Sequence, residues 1–257
     1  MHQTILSFSN EELPLIYAIV VDTSASFKDV LESALGAARI VVEQNKPGDE
    51  TMLVRFVSSN KIETVNDLTS DRTVLLDSLK DFKYFYIEGG QSAVIDAVYL
   101  TAQNIAKYKK NDGVRRRRAI ILITDGEDRS SYYKKDQLIE LLRKEDVQVS
   151  VVAVVGGVEG WREGSTWGTP REKATNLVNN LAKESGGLAV FPKSPTELTT
   201  IAKRFSLYLR SQYSIGYVPS AQASAKPYRK VTVKLVETPE HKRLVVTARS
   251  GYLTPQH

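Results

Sequence analysis

The chain has 257 residues, 42% hydrophobic and 25% charged, enough apolar material for one large globular domain or one domain with a small appendage. A net charge of +5 is too small and too dispersed to imply nucleic acid, so none is expected as a partner. The absence of cysteine excludes disulfides, thiolate metal sites, iron–sulfur clusters and cysteine nucleophiles.

Met1-His2-Gln3-Thr4 has neither the charged nor the apolar region of a signal peptide, and Gln3-Thr4-Ile5-Leu6-Ser7-Phe8 reads at once as a strand. This start suggests a piece of a longer secreted or anchored precursor. No apolar run approaches the roughly 20 residues that span a bilayer, so no membrane span is expected. From residue 15 onward short β-rich runs alternate with helix-period segments, which predicts a parallel sheet built from βαβ units. Strands are expected at 16–21, 51–57, 119–124, 147–155 and 188–191, and helices at 27–44, 71–79, 92–109, 134–144, 171–184 and 195–209. Three of the strands are nearly all apolar, as a doubly wound α/β sheet with helices on both faces requires. Lys61-Ile62-Glu63-Thr64-Val65 follows the second strand after only three residues, which permits only an antiparallel hairpin and makes it an edge strand. Beyond residue 210 the pattern changes to short alternating runs, with a hairpin expected between 229–236 and 243–248. The division expected is therefore an N-terminal strand within 1–14 that packs on the appendage, an α/β domain at 15–209, and a small antiparallel β appendage at 210–257.

In an open parallel sheet, ligands bind beyond the carboxyl ends of the strands, where the winding direction reverses. Asp22-Thr23-Ser24-Ala25-Ser26 stands directly after the first apolar strand, with one carboxylate and two hydroxyls at alternate positions. Asp125 follows the strand Ala119-Ile120-Ile121-Leu122-Ile123, and Gly89-Gly90-Gln91-Ser92 is a glycine-rich loop that opens a helix and offers another hydroxyl. Small oxygen ligands on tight loops suit Mg²⁺, which accepts a near-octahedral oxygen shell and retains water.

These three segments together resemble the von Willebrand factor A domain with its metal-ion-dependent adhesion site, over residues 15 to 209. The family pattern is Asp-x-Ser-x-Ser, a later Thr and a later Asp followed by Gly. Asp22, Ser24 and Ser26 match the first motif, Ser92 stands in the place of the Thr, and Asp125 matches the last Asp. Serine keeps the oxygen and loses the methyl that restrains the rotamer, so metal affinity is what this departure bears on. Gly89 to Tyr99 is similar to the corresponding loop and helix of many bacterial members. The tail from Gln212 to Pro219, with Arg249-Ser250-Gly251-Tyr252, resembles an acidobacterial subgroup that commonly carries an export signal, which implies a secreted or periplasmic location.

The resemblance implies a protein-interaction module holding Mg²⁺, with Mn²⁺ or Ca²⁺ as substitutes, whose open coordination position takes an Asp or Glu of a protein partner. Catalysis is not expected, because the only histidines, His2, His241 and His257, lie outside the alternating core and leave no triad. Two alternatives stand beside it. One is a metal-dependent phosphoryl hydrolase using Asp22, Asp125 and Asp128, and the other a scaffold with a vestigial site. Glu127 and Asp128 read either as support for the site or as solvated loop acids, and Ser26 also as a helix cap. Trp161 and Trp167, in the long loop at 156–170, and Tyr86 before Gly89 are candidate partner contacts on the metal face, with packing as the plain alternative. Arg115 to Arg118 read as a solvated connector at the opposite end of the sheet. Oligomeric state has no sequence signature.

Overall fold

The computed structural model describes residues 2–10, 12–82, 91–108, 112–155, 169–219, 228–236, 238 and 244–254. Its centre is a six-stranded sheet of β2 (Leu15–Asp22), β3 (Glu50–Ser58), β4 (Lys61–Thr69), β5 (Arg117–Thr124), β6 (Val147–Ala153) and β7 (Ala189–Val190), in the order β4-β3-β2-β5-β6-β7. All neighbours are parallel except β4, which turns back against β3 as the edge strand. The expected α/β fold is therefore present.

The apolar strands are apolar because each face meets its own helical layer. Tyr17, Ile19 and Val21 of β2 and Ile121 and Ile123 of β5 pack with α1 (Lys28–Glu43), α2 (Arg72–Asp81) and α6 (Glu197–Arg210). The alternate residues Ile16, Ala18, Val20, Ile120 and Leu122 pack with α3 (Val94–Lys107), α4 (Lys135–Glu145) and α5 (Pro170–Ser185). Every residue of β2 is buried, so period-2 amphipathicity is absent there for a physical reason. The winding reverses between β2 and β5, since β3 and β4 lie on one side of β2 and β5 to β7 on the other. A crevice at their carboxyl ends follows from that topology.

Helix boundaries follow local chemistry. Asp71 caps α2 by accepting from the backbone N–H groups of Thr73 and Val74, and Thr169 with Glu172 forms a capping box ahead of Pro170. α5 ends on Gly186 in the left-handed conformation, where a side chain would also meet the backbone nitrogen of Arg249 at 2.6 Å. β4 runs four residues past the expected Val65, because bulges in its pairing with β3 absorb the break in alternation.

Of the basic run Arg115 to Arg118, expected as a solvated connector, Arg115 is exposed, but Arg117 and Arg118 open β5 and are not. Arg117 reaches the carbonyls of Leu209, Arg210 and Gln212, while Arg118 reaches those of Ile105 and Tyr108. Each guanidinium thus satisfies the unpaired carbonyls and the negative dipole end of a helix, α6 and α3 respectively.

Two small antiparallel pairs flank the sheet at its amino end. β1 (Ile5–Ser9) pairs with β8 (Ser214–Tyr217), with Phe8 stacked on Tyr213 at 4.9 Å. β9 (Tyr228–Lys230) pairs with β10 (Gly251–Leu253), and the backbone N–H of Val231 donates to the Ser250 carbonyl at 2.9 Å, so among the described residues the hairpin expected between 229–236 and 243–248 is paired at its open end only. Val231 and Val233 are half-buried, but Leu235, Val236, Leu244 and Val245 are exposed, so little burial holds the pairing together toward the turn. The tail is fastened through its other residues: Arg143 lies over the Tyr228 ring at 4.0 Å, Arg249 pairs with Asp146 at 2.6 Å, and Ser250 donates to Glu184.

Candidate metal centre

The site is built where the winding reverses. Asp22 ends β2, and its Oδ1 accepts from the backbone N–H of Ser24 at 3.0 Å. Asp125 follows β5, and its Oδ1 accepts from the backbone N–H of Glu127 at 2.9 Å. Both aspartates thus commit one oxygen to holding their own loop in an Asx-type turn. The second oxygen of each is turned to hydroxyls. Asp22 Oδ2 accepts from Thr124 Oγ1 at 2.7 Å and has Ser92 Oγ at 3.5 Å, while Asp125 Oδ2 accepts from Ser26 Oγ at 2.6 Å. Ser92 Oγ donates to Ser24 Oγ at 3.0 Å, and Ser24 Oγ lies 3.2 Å from Ser26 Oγ. A continuous chain of hydroxyls therefore joins the two carboxylates, with Asp22, Ser24, Ser92 and Asp125 buried and Ser26 exposed.

All five residues singled out in the sequence come together in this one network. Ser26 is not a helix cap: residues 25–27 form a single 3-10 turn without a side-chain cap, and the Ser26 hydroxyl goes to Asp125. Thr124 was missed by the sequence reading. Its hydroxyl donates to Asp22 and accepts from the backbone N–H of Gly126 at 3.0 Å, tying both carboxylate loops together. Its only sequence signal is a hydroxyl at the last position of an otherwise apolar strand. Gly126 has φ +80 and sits against Val178, which lets the chain turn sharply beneath Asp125.

Ser92 is positioned by a lattice of bonds between the start of α3 and the β5–α4 loop. The backbone N–H of Arg129 donates to the Ser92 carbonyl at 2.7 Å, and the Ser130 hydroxyl donates to the Gln91 carbonyl. In return Asp128 accepts from the backbone N–H of Ile95 at 3.0 Å, and buried Asp96 accepts from those of Tyr132 and Tyr133, both at 2.8 Å. Asp128 thus caps α3, whose own N-cap residue, Ala93, has no side chain able to do so. Glu127 is buried and pairs with Arg129. Neither acid is a merely solvated loop residue. Tyr86, Trp161 and Trp167 lie outside the described residues.

Two carboxylates buried close together resist ionisation. Burial first, and the charge of Asp125 second, push the Asp22 carboxyl up to about 7. Burial likewise raises the Asp125 carboxyl, against the hydrogen bonds from Ser26 and Glu127 and the positive charge of Arg129. Among the described residues no cluster of three or more His, Cys, Asp or Glu is present. The donor set is instead two carboxylates and three hydroxyls, all hard oxygen, which suits Mg²⁺ or Mn²⁺ better than a soft-ligand metal.

Residues 18–204 match the family model of the von Willebrand factor type A domain. The chain belongs to this family. No curated protein sequence matches this A domain significantly. Among solved structures it is similar to an aerotolerance-related membrane protein from Bacteroides fragilis, at 22% identity and a TM-score of 0.59, over 77% of this chain and 100% of that one. The conserved hypothetical protein BatB from Bacteroides thetaiotaomicron is similar at 23% identity and a TM-score of 0.56, again over 77% and 100%. Proximal thread matrix protein 1 from the mussel byssus, in a structure with a zinc-occupied adhesion-site motif, is similar at 15% identity and a TM-score of 0.57, over 76% of this chain and 48% of that one. At these identities the likeness is one of fold. Among the described residues no helix is long and apolar enough to cross a membrane.

Proposed function

We propose that this A domain is a metal-dependent protein-interaction module in which Asp22, Ser24, Ser26, Ser92 and Asp125 hold Mg²⁺ and a partner's Asp or Glu carboxylate binds beside them. The observation that carries the reading is the pair of buried carboxylates joined through three hydroxyls, with the Asp22 carboxyl displaced to about 7 by burial and like charge. A divalent cation there would supply the missing positive charge. The family's interaction role supports the same reading, and Ser26, exposed at the mouth, gives a partner access to the group it would meet. Mn²⁺ or Ca²⁺ are the substitutes to test, with zinc added because the mussel protein's site holds it. Resemblance to an exported subgroup supports a secreted or periplasmic location.

The hydrolase alternative is weaker on geometry. It requires Asp128 beside Asp22 and Asp125, but both bonds at Asp128 Oδ1 go to α3 and Ser131. No histidine falls in the sheet-forming region to act as a base. The test is calorimetric titration of Mg²⁺ into wild-type protein and Asp22→Ala, followed by binding of a capped, single-aspartate peptide with and without chelator. Wild type is expected to bind both. Asp22→Ala is expected to bind neither while keeping its circular dichroism. Peptide binding that survives complete chelation would refute the mechanism, and absence of divalent binding by wild type would leave the vestigial scaffold.

A further inference from the structure

The β5–α4 loop does more than place Asp125. Its backbone is pinned to the start of α3 through Ser92, Ile95 and Asp96, so the side chains it projects stand on a rigid base. Among those that project into solvent are Arg129, with a side chain 56% exposed, and Tyr132, 79% exposed. Arg129 is oriented by an ion pair from Nη2 to Glu127, whose own side chain is only 8% exposed. A buried carboxylate that holds an exposed guanidinium limits the rotamers of the arginine and lowers the entropy lost when it binds something else. The backbone N–H of Arg129 donates to the Ser92 carbonyl at 2.7 Å, which puts the residue at the edge of the site.

A positive group beside a cation-binding site works against the cation and in favour of an anion docking next to it. Guanidinium offers five donors in a planar fork, and its match is a carboxylate. We propose that Arg129 is a specificity residue of the metal site, taking a second carboxylate of the partner so that this module selects segments with two acidic groups over segments with one. The proposal rests on the metal-dependent reading above and adds to it the partner's second charge.

The test uses the full chain in saturating Mg²⁺ and two capped glycine-based pentapeptides, one with a single aspartate and one with two adjacent aspartates, followed by NMR shift titration. Wild type is expected to bind the two-aspartate peptide about fivefold more tightly, the scale of an exposed charge pair. Arg129→Ala is expected to reduce the preference to the statistical advantage of a second aspartate, about twofold, with Mg²⁺ binding held or tightened because Glu127 loses its counter-charge beside the site. Tyr132→Ala, on the same pinned loop, is expected to keep the preference and so separates charge recognition from disturbance of the loop. A preference of about fivefold that persists in Arg129→Ala, or one that falls equally in Tyr132→Ala, overturns the assignment. Binding of the single-aspartate peptide by wild type with no more than that statistical preference for the second carboxylate leaves the metal reading standing and removes the role of Arg129. Failure of wild type to bind either peptide in Mg²⁺ overturns both.

Discussion

The displaced Asp22 carboxyl makes the stability of the metal-free protein depend on pH in a direction opposite to that of ordinary carboxylates. Its ordinary value is 3.8 and its folded value about 7, with burial as the first cause. At about 1.4 kcal/mol for each tenfold change, that difference is worth about 4 kcal/mol between the protonated and ionised site. Because the folded value is the higher one, the contribution is fully present below 3.8 and is lost as pH rises through about 7. Glu12 and Glu184 are shifted downward and pull the other way, so the effect of Asp22 is isolated by comparison with Asp22→Asn. Asparagine keeps the oxygen that accepts from Ser24, and the Thr124 hydroxyl can rotate to face the amide. Urea denaturation in metal-depleted buffers is expected to show Asp22→Asn gaining on wild type by up to about 4 kcal/mol between pH 4 and pH 8. Added Mg²⁺ is expected to narrow that gap by raising wild type alone, through linkage of about 2.7 kcal/mol at a hundredfold excess over Kd. Parallel stability curves for the two proteins across this window would refute the reasoning.

Asp128→Ala removes the carboxylate that caps α3 and should cost about 1–2 kcal/mol in chemical denaturation while leaving Mg²⁺ titration largely unchanged. A loss of Mg²⁺ binding as complete as that expected for Asp22→Ala would return Asp128 to metal chemistry. Ser92→Thr keeps the oxygen and restrains its rotamer, and calorimetry is expected to show Mg²⁺ bound about two- to threefold more tightly; weaker binding would mean that the buried pocket around Ser92 has no room for the methyl.

The sheet could be read from sequence because its centre is buried on both faces, which leaves β2 and β5 as unbroken apolar runs ending at Asp22 and Asp125. The five site residues were legible for a related reason: short polar motifs stand out when they follow such runs directly. Thr124 was not, because its role depends on a contact 102 residues away in the chain. The caps supplied by Asp128 and by Arg117 and Arg118 were hidden in the same way. Each serves a helix that begins or ends elsewhere in the chain, so no local pattern marks it. The antiparallel pairing of the tail could be read from its alternation, but its extent could not, because Leu235, Val236, Leu244 and Val245 are exposed and add little to hold the ladder beyond Val231.

The lattice between α3 and the β5–α4 loop makes Ser92 and Asp125 parts of one mechanical body. Asp22, Ser24 and Ser26 come from the neighbouring strand end, that of β2, and the turn before α1. The two groups are joined below by the β2–β5 ladder and by the Thr124 hydroxyl on Asp22, and above it they touch through small hydroxyl contacts, between Ser24 and Ser92 and between Ser26 and Asp125. Such contacts exchange readily with water, so an occupant of the site can rearrange the hydroxyls at its rim while the sheet beneath holds the two aspartates at a fixed spacing.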